Sequence, residues 1–301
     1  MATSPLLDRL GLWPARVLWL GLPLAVGRGL SPALERFDTP GPLLVEVCLW
    51  LSWFVGLLAL LVPTAASLTV VRIVAPAVIG VGLVAGVSTG DWPLELLLAI
   101  VAGVLVTAVV FLPMVGDRMV NGSAYGSERR MTLRPPAYTL LGPVQLAWLL
   151  VFAGAITGPW LLASGRYVLG GIAVVVGVGF AWLGGRVLHQ LSRRWLVFVP
   201  AGFVIHDHVV PVESILLRRT TIASLGPATV PVVAEAVDVS GGGRGLALEV
   251  SLNEPVVFGL RAGSRRDVVN TEAERLVFTP TLPGAVLTEA RIRAIPIGAA
   301  L

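Results

Sequence analysis

Lysine is absent from this chain, and all 22 basic residues are arginine. Physical chemistry does not demand that bias, and it reads as the mark of a GC-rich source rather than of nucleic-acid binding. No glycine run is followed by the lysine that a phosphate loop requires, and none sits at a strand-to-helix transition. Cysteine is nearly absent as well. The lone Cys48 lies in an apolar run, which excludes an intrachain disulfide and any reliance on an oxidising compartment. Charge is scarce, at 13% of residues, against roughly 25% in an ordinary soluble domain. With 55% hydrophobic residues and a mean hydropathy of +0.85, the chain reads as an integral membrane protein. Its formal charge of +4 fits arginines held against anionic head groups on the cytoplasmic side.

Windows of about twenty apolar residues, the length that crosses a hydrocarbon core of about 30 Å, fall at residues 43–63, 68–87, 94–115, 141–162 and 168–188. An earlier window at 12–34 holds Pro14, Arg16, Pro23 and Arg28, so a cleavable signal peptide competes there with a retained helix. Asp8 and Arg9 make a poor signal n-region and no small-x-small site closes the stretch, which favours the retained helix. Near residues 186–195 the apolar runs give way to strand-like alternation with interspersed charge. The expected architecture is a membrane α-helical bundle of six transmembrane helices over 1–189, followed by a small β-rich cytoplasmic domain over 190–301.

Arginine placement orients the bundle. Arg118, Arg129, Arg130 and Arg134 lie between the fourth and fifth spans, and Arg186, Arg193 and Arg194 at the exit of the sixth, so both places belong in the cytoplasm. The connection at 88–91 has no basic residue and that at 163–167 has only Arg166. Six spans then put both termini in the cytoplasm of a plasma-membrane protein, with Arg9 and Arg16 agreeing. Only the first external loop, where Arg28 and Arg36 face Glu35 and Asp38, strains the pattern.

The middles of spans two to six carry no ionisable group, which argues against a proton- or sodium-coupled transporter and against an intramembrane hydrolase. Glu46, Glu95 and Arg72 lie near helix ends, where snorkelling to the interface is the simple reading and a functional ion pair the sharper one. Arg16 would sit deeper, near the inner third of its span. Small residues recur every four positions in the sixth span, at Ala173, Gly177, Ala181 and Gly185, and the device returns at Gly82 and Gly86 and at Ala99 and Gly103. Such stripes let helices approach closely. Packing inside one bundle is the simple reading, and a homo-oligomer seam is the alternative.

The segment 116–139 reads as a solvated loop whose arginines set orientation, with binding to anionic head groups or to the β domain as the alternative. In the tail, 195–199 and 203–206 alternate around Pro200, Ala201 and Gly202 as a hairpin, and 212–217, 230–239, 246–252 and 256–260 continue the strand series. Gly241, Gly242, Gly243 and Gly245 make a flexible turn, 267–279 reads as helix then strand, and 288–293 as a short closing helix with Glu289 and Arg293 four apart. His206 and His208 share one strand face but find no third ligand, so a hairpin turn containing Asp207 explains them without metal. His189 reads as a polar helix exit, and Ser214 and Ser224 lack a nucleophile-elbow context. No catalytic residue, cofactor or metal site is expected.

The run Arg194-Trp195-Leu196-Val197-Phe198-Val199-Pro200-Ala201-Gly202-Phe203-Val204-Ile205, followed by Val210-Pro211-Val212-Glu213-Ser214-Ile215, resembles the opening of bacterial pleckstrin-homology-like (PH-like) domains fused to membrane helices. The whole chain, including Leu60-Leu61-Val62-Pro63 through Ser67-Leu68-Thr69, resembles uncharacterised actinobacterial multi-pass membrane proteins. The resemblance implies a small β-barrel closed by a helix and used for lipid or protein contact. The expected function is a non-enzymatic membrane scaffold or regulator. Its PH-like domain would meet anionic membrane lipid or a protein partner through Arg193, Arg194, Arg218 and Arg219 with Arg129, Arg130 and Arg134. The alternative is an uncoupled lipid or small-solute transporter whose path runs between the small-residue helix faces.

Overall fold

The computed structural model describes residues 11–38, 40–140, 142–228, 236–261 and 268–298. Asp8, Arg9 and Asp267 lie outside the described residues, as does most of the strand expected at 230–239. The chain separates into two compact units, one of Pro5–Met119 with Val144–His189 and the other of Val120–Pro143 with Gln190–Leu301. The β-rich unit thus takes in 120–143, from between two spans, as well as the tail.

In the helical unit α1 (Trp13–Leu34), α2 (Gly41–Leu61) and α3 (Ala65–Thr89) are followed by α4 (Leu94–Val110) and α5 (Pro113–Asn121). The short α6 (Ala137–Leu140) precedes α7 (Pro143–Ala163) and α8 (Tyr167–Ser192). Among the described residues five helices are long and apolar enough to cross a membrane, six if the α4–α5 pair is one span, so the chain is membrane-embedded. That pair is bent by 61°, where one helix over 94–115 was expected. Pro113 explains the break, because it offers no amide and its ring crowds the preceding turn. Thr64 caps α3 by accepting the Ser67 amide at 3.0 Å, and Gly90, in the left-handed conformation at φ 69°, ends it.

The first apolar window is a full helix that packs against α2, α3 and α4. Pro23 inside α1 leaves the Trp19 carbonyl without the amide four residues on. The Trp53 indole of α2 supplies the missing donor at 2.9 Å, and the Trp19 indole donates in return to the Trp53 carbonyl at 2.9 Å. Arg16 donates Nε and Nη2 to the Leu60 carbonyl at 3.1 and 3.0 Å, in the last turn of α2 where carbonyls lack helical partners. Arg16 therefore caps a helix end instead of serving an ionic path. Arg72 lies over the Phe111 ring at 5.1 Å, within electrostatic reach of the buried Asp117, so it does not simply snorkel.

Close approach of α7 and α8 runs through Gly154 and Gly177, whose backbones touch, and through Gly158 against Val174 and Gly184 against the Ala147 carbonyl. The contact series on α8 is Gly170, Gly177 and Gly184. Of the stripe expected there, Gly177 lies at the crossing, Ala173 and Ala181 are half-buried, and Gly185 has open space beside it. Gly82 packs on Ile100, Gly86 on Trp92, and Gly103 on Val78 and Ile79, so α3 and α4 use the same device.

The β-rich unit holds a meander of β1 (Arg129–Thr132), β2 (Trp195–Val199), β3 (Gly202–His206) and β4 (Ile215–Arg218), all antiparallel in that order. A second sheet runs β5-β7-β8-β6, from β5 (Ile222–Pro227), β6 (Val237–Asp238), β7 (Leu248–Arg261) and β8 (Val268–Phe278), with β6 parallel to β8. Alternation turns Leu196, Phe198, Phe203 and Ile205 inward, all fully buried. One core joins both sheets to α9 (Pro283–Ile292) through Val286 and Ala290. The sheets close at two corners. At one, the Arg134 amide donates to Thr279 and the Thr281 amide to Thr132, each at 2.9 Å; at the other, the Val212 amide donates to Gly259 at 2.9 Å and the Arg261 amide to Val210 at 3.1 Å.

Several expectations change. Segment 116–139 is not a solvated loop, because its middle forms the edge strand β1. The third tail strand begins at Ile215 rather than 212, and β5 was not foreseen. Segments 246–252 and 256–260 form one strand with an irregularity between Ser251 and Val256, and β8 contains no helix within its described length. The glycine turn is pinned, not loose, since the Asp238 carboxylate accepts the Ser240 and Gly242 amides at 2.7 and 2.9 Å. At Gly202 (φ 149°) the Leu217 carbonyl occupies the space a Cβ would need, which fixes glycine in the β2–β3 turn.

Candidate functional site

The seven arginines expected to form one basic surface are dispersed. Arg194 is 1% exposed and lies inside the β-rich unit, so it offers nothing to a lipid or partner. Arg130 is engaged by Glu128 at 3.2 Å and Ser123 at 3.0 Å, and lies over the Trp195 ring at 5.7 Å. Arg134 is half-buried against Gly245, and Arg129 is half-buried on β1 opposite Phe198. Arg193, Arg218 and Arg219 are exposed. Arg193 precedes the Trp195 end of β2, whereas Arg218 pairs with Gly202 at the other end of the meander. Five residues at 3.3 Å place the two ends about 16 Å apart.

Arg194 instead organises a buried polar knot. Its Nε and Nη2 donate to Oδ2 of Asp207 at 2.8 and 2.5 Å, its Nη2 also to the Ser240 carbonyl at 3.2 Å, and its Nη1 to the Arg134 carbonyl at 2.5 Å. Asp207, 0% exposed, accepts the Val209 amide on its other oxygen at 2.8 Å. Burial of such a pair is tolerable when, as here, the charges meet directly and further hydrogen bonds engage all three guanidinium nitrogens and both carboxylate oxygens.

His206 stacks on Trp195 at 5.0 Å, accepts from or donates to Ser214 at 2.9 Å and meets His208 edge-on at 4.5 Å. Burial, reinforced by the charges of His208 and Arg193 and opposed by Asp207, pushes its pKa down to about 4. The folded protein holds this ring neutral where the unfolded chain, near 6.5, binds a proton. Its stabilising contribution is therefore complete above pH 6.5 and is lost as pH falls towards 4. Urea unfolding of the full chain is expected to show a falling midpoint across that window, and His206→Asn to flatten that part of the slope. No cluster of three or more His, Cys, Asp or Glu suited to a metal occurs among the described residues.

A second candidate, missed in the sequence, lies in the helical unit. Between α1, α2 and α3 there is a cavity of about 530 Å³. Along α1 its wall is Trp19, Leu22, Pro23, Val26, Gly27, Leu30, Ser31, Leu34 and Glu35, a single face at three- and four-residue spacing. From α2 come Pro42, Glu46, Leu49, Trp50 and Trp53, and from α3 Val74, Ala77, Val78 and Val81. The Trp19–Trp53 pair stands at one end, and Glu35 and Glu46 near the α1–α2 connection at the other. Ser31 and Ser52 turn their hydroxyls to carbonyls of their own helices, at 2.7 and 2.8 Å. The two carboxylates have no hydrogen-bond or ion-pair partner among the described residues. The spacing on α1 was the available signal, masked by reading Glu46 as a residue that snorkels.

Comparisons with models of protein families, with curated proteins and with solved structures gave no match to this chain.

Proposed function

We propose that this chain is a non-enzymatic membrane scaffold or regulator that holds a PH-like domain beside the cytoplasmic face of the plasma membrane. The observation that carries the reading is covalent. Among the described residues the chain passes between the units at 119/120, 143/144 and 189/190, so the β-rich unit is tied to the membrane helices at three points. Two sheets closed at their corners and packed on a carboxy-terminal helix support the PH-like reading, as does the opening run of the tail. The kinship with actinobacterial multi-pass proteins rests on the sequence resemblance alone. The contact surface for anionic lipid or an acidic protein partner narrows to the exposed Arg193, Arg218 and Arg219.

The full chain in phosphatidylcholine nanodiscs is expected to bind vesicles rich in phosphatidylglycerol, less tightly as salt rises. At about 1 kcal/mol per arginine, replacing all three by Gln weakens binding roughly a hundredfold. Salt-independent binding, or an unchanged triple variant, removes the reading. The cavity favours a second reading, uncoupled movement of a lipid or small solute, because its lining extends past the middle of α1.

A further inference from the structure

We propose that the cavity between α1, α2 and α3 is a binding site for a membrane lipid that carries an ammonium head group, with an alkyl chain along the α1 face and the ammonium between Glu35 and Glu46. The inference concerns occupancy and needs no passage of the lipid through the bundle.

Size and shape admit a chain. The cavity of about 530 Å³ falls within the range of small-molecule sites, roughly 300–1,000 Å³. From Trp19 to Glu35 the lining face of α1 covers sixteen steps of 1.5 Å, about 24 Å. Leu22, Val26, Leu30 and Val78 make most of that length apolar. The tryptophan pair, with both indole donors already used on carbonyls, closes the apolar end without offering a polar group.

Charge selects the head. All the charge in the lining is acidic, since no Lys or Arg lines the cavity, and the serine hydroxyls, whose hydrogens go to carbonyls, can only accept. Glu46 stands five residues inside α2, too deep to be only a first-turn residue, and Glu35 stands at the carboxy-terminal cap of α1, where the helix dipole adds partial negative charge. Arg36, next in sequence, is directed to the Thr89 carbonyl at 3.0 Å. Glu35 and Glu46 are exposed and hold no hydrogen-bond or ion-pair partner among the described residues, so an ammonium group can meet them without displacing another contact. A phosphate or carboxylate head in the same place would meet like charge.

The test uses the full chain in detergent, with octadecylamine as probe and stearic acid as its anionic counterpart, read by native mass spectrometry and by thermal unfolding. Octadecylamine is expected to bind saturably with one molecule per chain and to raise the unfolding temperature. Glu35→Gln with Glu46→Gln is expected to weaken it at least tenfold without lowering the temperature of the unliganded protein. Val26→Trp, which fills the cavity, should abolish binding, while Val101→Trp on the exposed face of α4 should leave it intact. Equal affinity for stearic acid, unsaturable uptake, or an unchanged Gln double variant overturns the proposal. Should Val26→Trp fail to fold, the Gln pair alone decides, because neither carboxylate holds another group among the described residues.

Discussion

Residues 190–301 produced alone are expected not to fold cooperatively, although they look like a complete domain in the sequence. The missing piece is β1 and its continuation through Arg134. Met131 and Leu133, 3% and 6% exposed, belong to the core of the β-rich unit. Burying each contributes about 1.5–3 kcal/mol. The ladder to β2 and the bonds from 132–134 to Thr279 and Thr281 add about 1 kcal/mol apiece. Their sum is comparable with the whole stability of a small domain, about 5–15 kcal/mol. Without β1, moreover, β2 becomes an open edge, and an open edge next to an apolar core aggregates. Joining 120–143 to 190–301 through a flexible linker should restore a single urea transition and disperse amide signals in NMR spectra. A tail that unfolds with the same midpoint with and without 120–143 would show that β1 is dispensable.

The reason this dependence was not legible in the sequence is topological. Span lengths, the start and stop of most helices and the β2–β3 hairpin follow from local pattern, because apolar length, proline and alternation act within a few residues. Pairing of Arg129–Thr132 with Trp195–Val199 joins segments more than sixty residues apart, and four residues containing two arginines carry little strand signal. The cavity escaped for a different reason. Its α1 face was legible as periodicity, but whether two facing helices meet tightly or leave room depends on side-chain volumes across the gap, which one sequence does not display. Asp207 and Arg194, by contrast, were within reach. Strand parity that puts Phe203 and Ile205 inside also puts Asp207 inside, and parity that buries Leu196 and Phe198 buries Arg194. The hairpin register that sets Trp195 opposite His206 then sets Arg194 opposite Asp207. An inward acid facing an inward base could have been read as a pair.

Asp207→Ala is accordingly expected to be among the most destabilising single substitutions in the β-rich unit, by about 3–5 kcal/mol, because it strands a guanidinium that is 1% exposed. Arg194→Lys should fare little better. An ammonium is a point donor and lacks the planar fork that here reaches Asp207, Ser240 and the Arg134 carbonyl together. The informative variant is the double replacement Arg194→Met with Asp207→Leu, which removes both charges and keeps the volume. If the pair serves mainly to avoid an unpaired charge, the double variant recovers to within about 1–2 kcal/mol of the parent in urea unfolding of the full chain. The bond from Arg194 to Arg134 gives reason to expect a second effect. That carbonyl lies just beyond β1, in the segment contributed from between two spans, so the guanidinium helps fix where the segment docks. Hydrogen exchange at Met131, Leu133 and Arg134 should then accelerate in the double variant even where global stability recovers, separating a pair that sets register from one that only satisfies itself. Protection at those amides unchanged from the parent would leave the knot as a self-contained element of the core.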